Sequence, residues 1–354
     1  MTSKLQQNRD LTLKWKMNVI FRKQKNIVFN EVDLCTFSYQ PKYSRKQITD
    51  LDVLGILLDP DLYMRYCVAE CKNVQEKAME YLLKLQGTMK FFNAEKAYFV
   101  QRKIDVNARE VGKDMGVYCL DENNLDYLLK SFGISGPEFQ KLEEELYNTR
   151  RRLVIEASAF HTKAVNYFRY DFWILPDHRN VVNLIRLLNS CAEKIKGPIE
   201  EGKKFIIYEL TLLLLLSVLR IASSVLRINC QEVVEGTKTL IMGGTRERRD
   251  REALFDEIAK IIKENSLQPY PSFLGDLTEL LNRYLTSLQF SYESPRCLDL
   301  MINCLCCKET QDIWGKPRAI FKEEVIKFAR DIIYFVIGQT GITKDVYSDI
   351  LNNF

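Results

Sequence analysis

The feature that most constrains the fold is a change of period along the chain. Before residue 136, short runs rich in β-branched and aromatic residues read as strands: "IVFNEVDLCTFSY", "ITDLDVLGILLD", "YMRYCVAECK", "KAYFVQ" and "VYCL". Beyond it no convincing strand pattern occurs, and apolar residues recur at helical spacing. "FGISGPEF", with two glycines and a proline, marks the change near Gly136. A chain patterned this way folds as an α/β unit followed by an all-α unit, and 354 residues suffice for both to have cores.

Residues 1–25 read as a basic amphipathic helix, with Leu11, Trp15 and Val19 among Lys14, Lys16, Arg22 and Lys23. Residues 26–135 give three strands in a meander and then a helix over about 74–92, on which Ala78, Leu82, Leu85 and Met89 share one stripe. Two more strands alternate with two helices, which makes a mixed sheet sandwiched by helices. Residues 137–354 are all helical. A long helical pattern ends before Pro176, and helices follow at about 179–196, 199–227, 248–264, 272–287, 294–308 and 318–338.

A content of 46% hydrophobic and 28% charged residues is that of a globular protein, and a net charge of +4 is too small to imply nucleic-acid binding by itself. Ten cysteines without an N-terminal signal peptide suggest reduced thiols and a cytoplasmic setting. The apolar run Phe205 to Leu226 is long enough to span a bilayer, but Glu209 and Arg220 interrupt it, so a buried core helix and no membrane is the expectation. Cys297, Cys304, Cys306 and Cys307 lack the paired spacing of a zinc site and read as buried thiols on a helix. His161 and His178 are the only histidines and stand too far apart for a compact metal motif.

Chemistry concentrates in the second and third strands. Residues two apart share a face, so Asp50 aligns with Asp52, and Glu70 with Lys72, while Ala69 and Cys71 face the other layer. If these strands are neighbours, Asp52 comes beside Glu70. Carboxylates buried in apolar strands need a partner or a metal. Hard oxygen ligands from two strands suit Mg²⁺, with Mn²⁺ as a substitute, and an adjacent lysine can orient or deprotonate a water.

The arrangement of "DLDVLG", "ECK" and the order of elements after them resembles the PD-(D/E)XK nuclease superfamily over about 110 residues. The resemblance implies a restriction-endonuclease-like N-terminal domain and a metal-dependent nuclease. In it Asp52 and Glu70 bind the metal and Lys72 assists the attacking water. Leu51 stands where the family name has proline. Asp50 is the competing aspartate. Glu31, and Gln75 or Gln86 on the following helix, are auxiliary candidates, each also readable as an ordinary solvated residue.

A nuclease must attract phosphates. Lys14, Lys16, Arg22 and Lys23 of the N-terminal segment qualify, as do Arg150, Arg151 and Arg152, which read equally as an exposed helix face. "GGTRERRDRE" is balanced by its own acids, and the aromatics of "NYFRYDFW" suit core packing better than base stacking. The expected partner is nucleic acid, DNA before RNA, with the helical domain choosing substrate or regulating. Cutting both strands of a duplex favours a homodimer. The alternative is a catalytically inactive nuclease-fold scaffold that acts through protein–protein contacts.

Overall fold

The computed structural model describes all residues except 1, 39–43, 74–76, 135–136, 198, 229–231 and 263–268. Helix α1 (Thr2–Lys23) leads into a meander of β1 (Ile27–Ser38), β2 (Ser44–Leu58) and β3 (Met64–Lys72). Next come α2 (Ala78–Phe92), β4 (Lys96–Gln101), α3 (Val106–Asp114), β5 (Val117–Leu120) and α4 (Glu122–Ser131). The five strands form one mixed sheet in the order β1-β2-β3-β4-β5. The meander pairs antiparallel, whereas β3, β4 and β5 run parallel because helices return the chain across the sheet.

Strand alternation sorts the two faces. Val28, Val53, Ala69, Cys71 and Val100 pack against α1 and α4, while Phe29, Leu54, Val68 and Phe99 pack on the opposite side with α2 and the helical region. The sheet is thus covered on both faces, as a parallel half requires. The expected split of Ala69 and Cys71 from Glu70 and Lys72 is what the sheet shows.

The rest of the chain is helical. It comprises α5 (Pro137–Arg169), α6 (Asp177–Lys194), α7 (Glu201–Arg227), α8 (Val233–Ile241), α9 (Thr245–Ile262), α10 (Leu274–Thr286) and the four-residue α11 (Leu288–Ser291). It continues with α12 (Ser294–Cys306), α13 (Thr310–Trp314), α14 (Pro317–Ile320), α15 (Glu323–Gln339) and α16 (Ser348–Asn353). The sequence pattern predicts no helix between 227 and 248, where α8 lies, and the boundary expected near Gly136 lies outside the described residues. Helix α7 is the one described helix long and apolar enough to cross a membrane, and its apolar window is 94% buried inside the fold. It is the axle of the helical region, as its interrupting charges imply.

Helix α5 bends at His161, whose backbone leaves the helical region (φ −150°, ψ 82°). The imidazole closes the break: Nδ1 accepts the Ala164 N–H at 3.2 Å, and Nε2 lies 3.0 Å from Ser190 Oγ. This histidine caps the second half of α5. The aromatics after it are core, as expected, with Phe29 on β1 packed against Phe168 and Trp173 at ring-centre distances of 6.2 and 5.0 Å.

A candidate active site at the splayed ends of β2 and β3

The ladder between β2 and β3 runs from Leu58↔Met64 to Val53↔Ala69 and stops there. At the next position the strands separate, and a side chain takes over from the backbone: Asp52 Oδ2 accepts the Cys71 N–H at 2.7 Å. That bond explains why an aspartate is tolerated at this depth, since the orphaned amide and the buried carboxylate satisfy each other.

Asp52 and Glu70 are 2% and 3% exposed. Lys72, at 20% exposure, bridges them, its Nζ lying 3.2 Å from Asp52 Oδ2 and 2.8 Å from Glu70 Oε1. The three residues singled out from sequence therefore share one patch. Asp50 sits at its edge, 3.5 Å from Lys84 of α2, which is also 3.5 Å from Glu70 Oε1. Glu31 lies on the other side, 3.6 Å from Lys14. Gln75 lies outside the described residues.

Glu31 is held at φ +53° between the paired positions Asn30↔Val53 and Val32↔Leu51. A left-handed backbone at a non-glycine residue costs roughly 1–2 kcal/mol. Tyr147 of α5 donates to its carboxylate at 3.5 Å, and the Arg151 guanidinium is 3.8 Å away.

Burial, reinforced by the Asp52 charge, raises the Glu70 pKa above the usual carboxylate range despite the pull of Lys72 and Lys84. Burial opposes the charge on Lys72 too, but Asp52 and Glu70 outweigh it and hold the ammonium above its ordinary pKa. Asp50 is lowered, since Lys72 and Lys84 together overcome its partial burial. At neutral pH Lys72 is a cation. In this state it is a charge-stabilising group rather than a proton acceptor.

The expected nucleic-acid contacts need correction. Helix α1 is not an arm with a positive outer face, because Leu13, Trp15, Met17, Val19, Ile20 and Phe21 are buried all round it. Its cations are consequently spent inside. Lys14 lies 2.7 Å from Asp52 Oδ1, Lys16 lies 2.7 Å from Asp126, and Arg22 lies 2.8 Å from Asp299 on α12. Arg150 is equally buried, hydrogen-bonded to Glu209 and Asn303. Lys23 is half-buried over the Trp314 ring at 4.8 Å. Of the group, Arg151 and Arg152 remain substantially exposed, and Arg152 is paired with Glu156 and Glu201.

Tyr81 and Lys84 of α2 and Tyr147 of α5 escaped the sequence reading. Tyr81, Lys84 and Thr88 form an i, i+3, i+7 polar stripe on α2, a visible signal that this face lies beside the strand carrying Glu70. Lys72 sits 5.6 Å from the Tyr81 ring centre. Tyr147, 116 residues from Glu31, left no local signal.

Asp52 and Glu70 are the two carboxylates that Lys72 bridges, with Asp50 and Glu31 at the edges. Among the described residues no group of three or more His, Cys, Asp or Glu side chains is placed to hold a metal ion. Mg²⁺ asks for less, since it retains waters and binds through one or two carboxylates plus substrate phosphate. Glu70 Oε1 is buried and meets the Lys72 ammonium at 2.8 Å and that of Lys84 at 3.5 Å, so a metal ion would have to displace these cations from a hard oxygen donor. Two carboxylates are the kind of donor that ion takes. A cavity of about 200 Å³ is lined in part by Glu31 and one of about 180 Å³ in part by Asn73, and neither is lined by Asp52, Glu70 or Lys72. Neither a protein-family model, nor a curated protein, nor a solved structure matches the chain.

Proposed function

We propose that the chain is a metal-dependent nuclease of the PD-(D/E)XK type that hydrolyses phosphodiester bonds, DNA being the expected substrate. The observation that carries this reading is the convergence of Asp52, Glu70 and Lys72 where two neighbouring strands part. Asp52 and Glu70 are both almost wholly buried, and desolvation costs several kcal/mol per charge, so the pair depends on cations or an ion held beside it. Bound Mg²⁺ would supply Lewis-acid polarisation of the scissile phosphate, with Asp52 and Glu70 as its protein ligands. Lys72 orients the attacking water and offsets the charge that develops on the phosphoryl oxygens. The sheet fixes the three side chains, and the helical region is assigned substrate choice or regulation. A cytoplasmic compartment suits the nine free cysteines among the described residues.

One observation favours the scaffold alternative: Lys14, Lys72 and Lys84 already neutralise the carboxylates without any ion. Cleavage of plasmid, linear DNA and RNA by the purified protein with Mg²⁺, Mn²⁺ or EDTA separates the two. Metal-dependent cutting that disappears in Lys72→Ala is expected for the enzyme. Inactivity of the parent on every substrate with both metals rejects it.

A further inference from the structure

The cavity of about 200 Å³ beside Glu31 lies between β1 and α5. Its walls are apolar, with Val154, Phe168 and Phe205 facing the space. Three arginines line it: Arg150, buried and paired with Glu209, and Arg151 and Arg169, at 45% and 33% exposure. Arg151 has only the loose 3.8 Å contact with Glu31, and Arg169, tied to Asp33 through one nitrogen at 2.9 Å, keeps its other donors. Asn30 completes the wall on the β1 side.

Apolar walls with cations at the rim are the complement of a nucleotide, whose ring has apolar faces and whose phosphate is anionic. The size agrees, being below the roughly 300 Å³ at which drug-sized sites begin, and so suits one ring but not a stacked run. Glu31 belongs to both the cavity and the acid–lysine cluster, so an occupant would lie next to the reacting phosphate. We propose that this cavity takes a single unstacked nucleotide, its ring between Val154, Phe168 and Phe205 and its phosphate on Arg151 and Arg169. Resting on the nuclease reading, this makes the substrate a strand with one base turned out, single-stranded or locally opened. A free nucleotide has the same chemistry, and the test separates the two sources.

Binding is measured in EDTA by calorimetry, with mononucleotide 5′-phosphates, inorganic phosphate, a short single-stranded oligonucleotide and the same oligonucleotide carrying one abasic residue. The parent is expected to bind inorganic phosphate far more weakly than the mononucleotide. Val154→Trp, which fills the cavity, and Arg151→Ala each weaken binding by about tenfold or more, the scale on which removal of one base contact acts. Circular dichroism confirms that the variants fold. An oligonucleotide that binds more tightly than the mononucleotide, and loses that advantage at the abasic position, identifies the strand as the source. A mononucleotide that outbinds every strand identifies a free nucleotide. Equal binding of phosphate and nucleotide, indifference to Val154→Trp, or no binding at millimolar nucleotide overturns the proposal. Cleavage plays no part in this assay, so the nuclease reading can fail while the cavity assignment stands, and the reverse.

Discussion

Lys14 on α1 and Asp52 on β2, 38 positions apart in sequence, meet at 2.7 Å between Nζ and Oδ1. The helix that precedes the sheet thereby closes one side of the candidate site. Burial works against the Lys14 charge, but Asp52 outweighs it and keeps the ammonium above its ordinary pKa. Lys14→Met retains the stem and removes the charge. Asp52 keeps Lys72 and the Cys71 amide, so the loss of stability should be about 1–3 kcal/mol, less than for breaking an isolated buried pair. Removal of a competing cation should also enlarge the stabilisation given by millimolar Mg²⁺. Urea denaturation of parent and variant, with and without Mg²⁺, checks both effects, and an unchanged Mg²⁺ response would show that Lys14 does not guard the carboxylates.

Asp52 and Glu70 should respond oppositely to neutralisation. Asp52 raises the pKa of both Lys14 and Lys72, so those ammonium groups contribute stability that is fully present at neutral pH and is lost only as pH rises through their raised values. Asp52→Asn forfeits it and should destabilise at pH 7. Glu70 is raised instead, so the folded state holds its proton more tightly than the unfolded chain, and its contribution becomes less favourable as pH climbs above the ordinary carboxylate value. Glu70→Gln should therefore be neutral or stabilising at pH 7 to 8, with the advantage shrinking toward pH 4. Thermal melts across that range decide it.

Much of this architecture was legible because strands and helices leave different periods. "KAYFVQ" and "VYCL" coincide with β4 and β5 residue for residue, and the alternation of Ala69, Glu70, Cys71 and Lys72 places each on its proper face. Asp52, Glu70 and Lys72 could be grouped because adjacent strands convert a short sequence separation into contact. The fate of the cations could not be read in the same way. Lys14, Lys16, Arg22 and Arg150 look like a solvated basic surface until their acids are known, and those acids, Asp52, Asp126, Asp299 and Glu209, are 38 to 277 positions away. Helical spacing tells which residues share a face but not which helix covers it.

Arg150 and Glu209 make a second buried pair, between α5 and α7, with Asp299 and Arg22 beside it. Arg150→Met leaves Glu209 uncompensated and should cost about 3–5 kcal/mol. The Glu209 carboxyl is pushed up to about 7 by burial, with Asp299 adding to it and Arg150 opposing. Between its ordinary 4.5 and about 7 the folded state binds the extra proton, so stability should rise as pH falls through that window. Glu209→Gln should flatten the dependence. Midpoints of urea denaturation from pH 5 to 8 report the slope, and an identical slope in the variant would place the titrating group elsewhere.

The smallest contact in the sheet domain offers the sharpest test of its packing. Gly112 is buried in α3, and a Cβ built there would clash with Cys119 Sγ on β5 and lie 3.3 Å from the Val117 carbonyl oxygen. The helix rests directly on the strand, so alanine at 112 must push them apart. Overpacking of this kind costs about 1–3 kcal/mol, enough to outweigh the helical preference for alanine over glycine. Cys119→Ala alone removes a sulfur whose thiol donates weakly to the Ala108 carbonyl at 3.6 Å, and should cost less. In the double variant the Sγ clash is gone and only the tighter approach to the backbone oxygen remains. The two substitutions together should therefore be less destabilising than the sum of each alone. A double-mutant cycle by denaturation measures that coupling, expected at about 1 kcal/mol or more in the compensating direction. Strict additivity would mean that α3 shifts away from β5 without resistance, and that its close seat on the strand contributes nothing to holding the sheet.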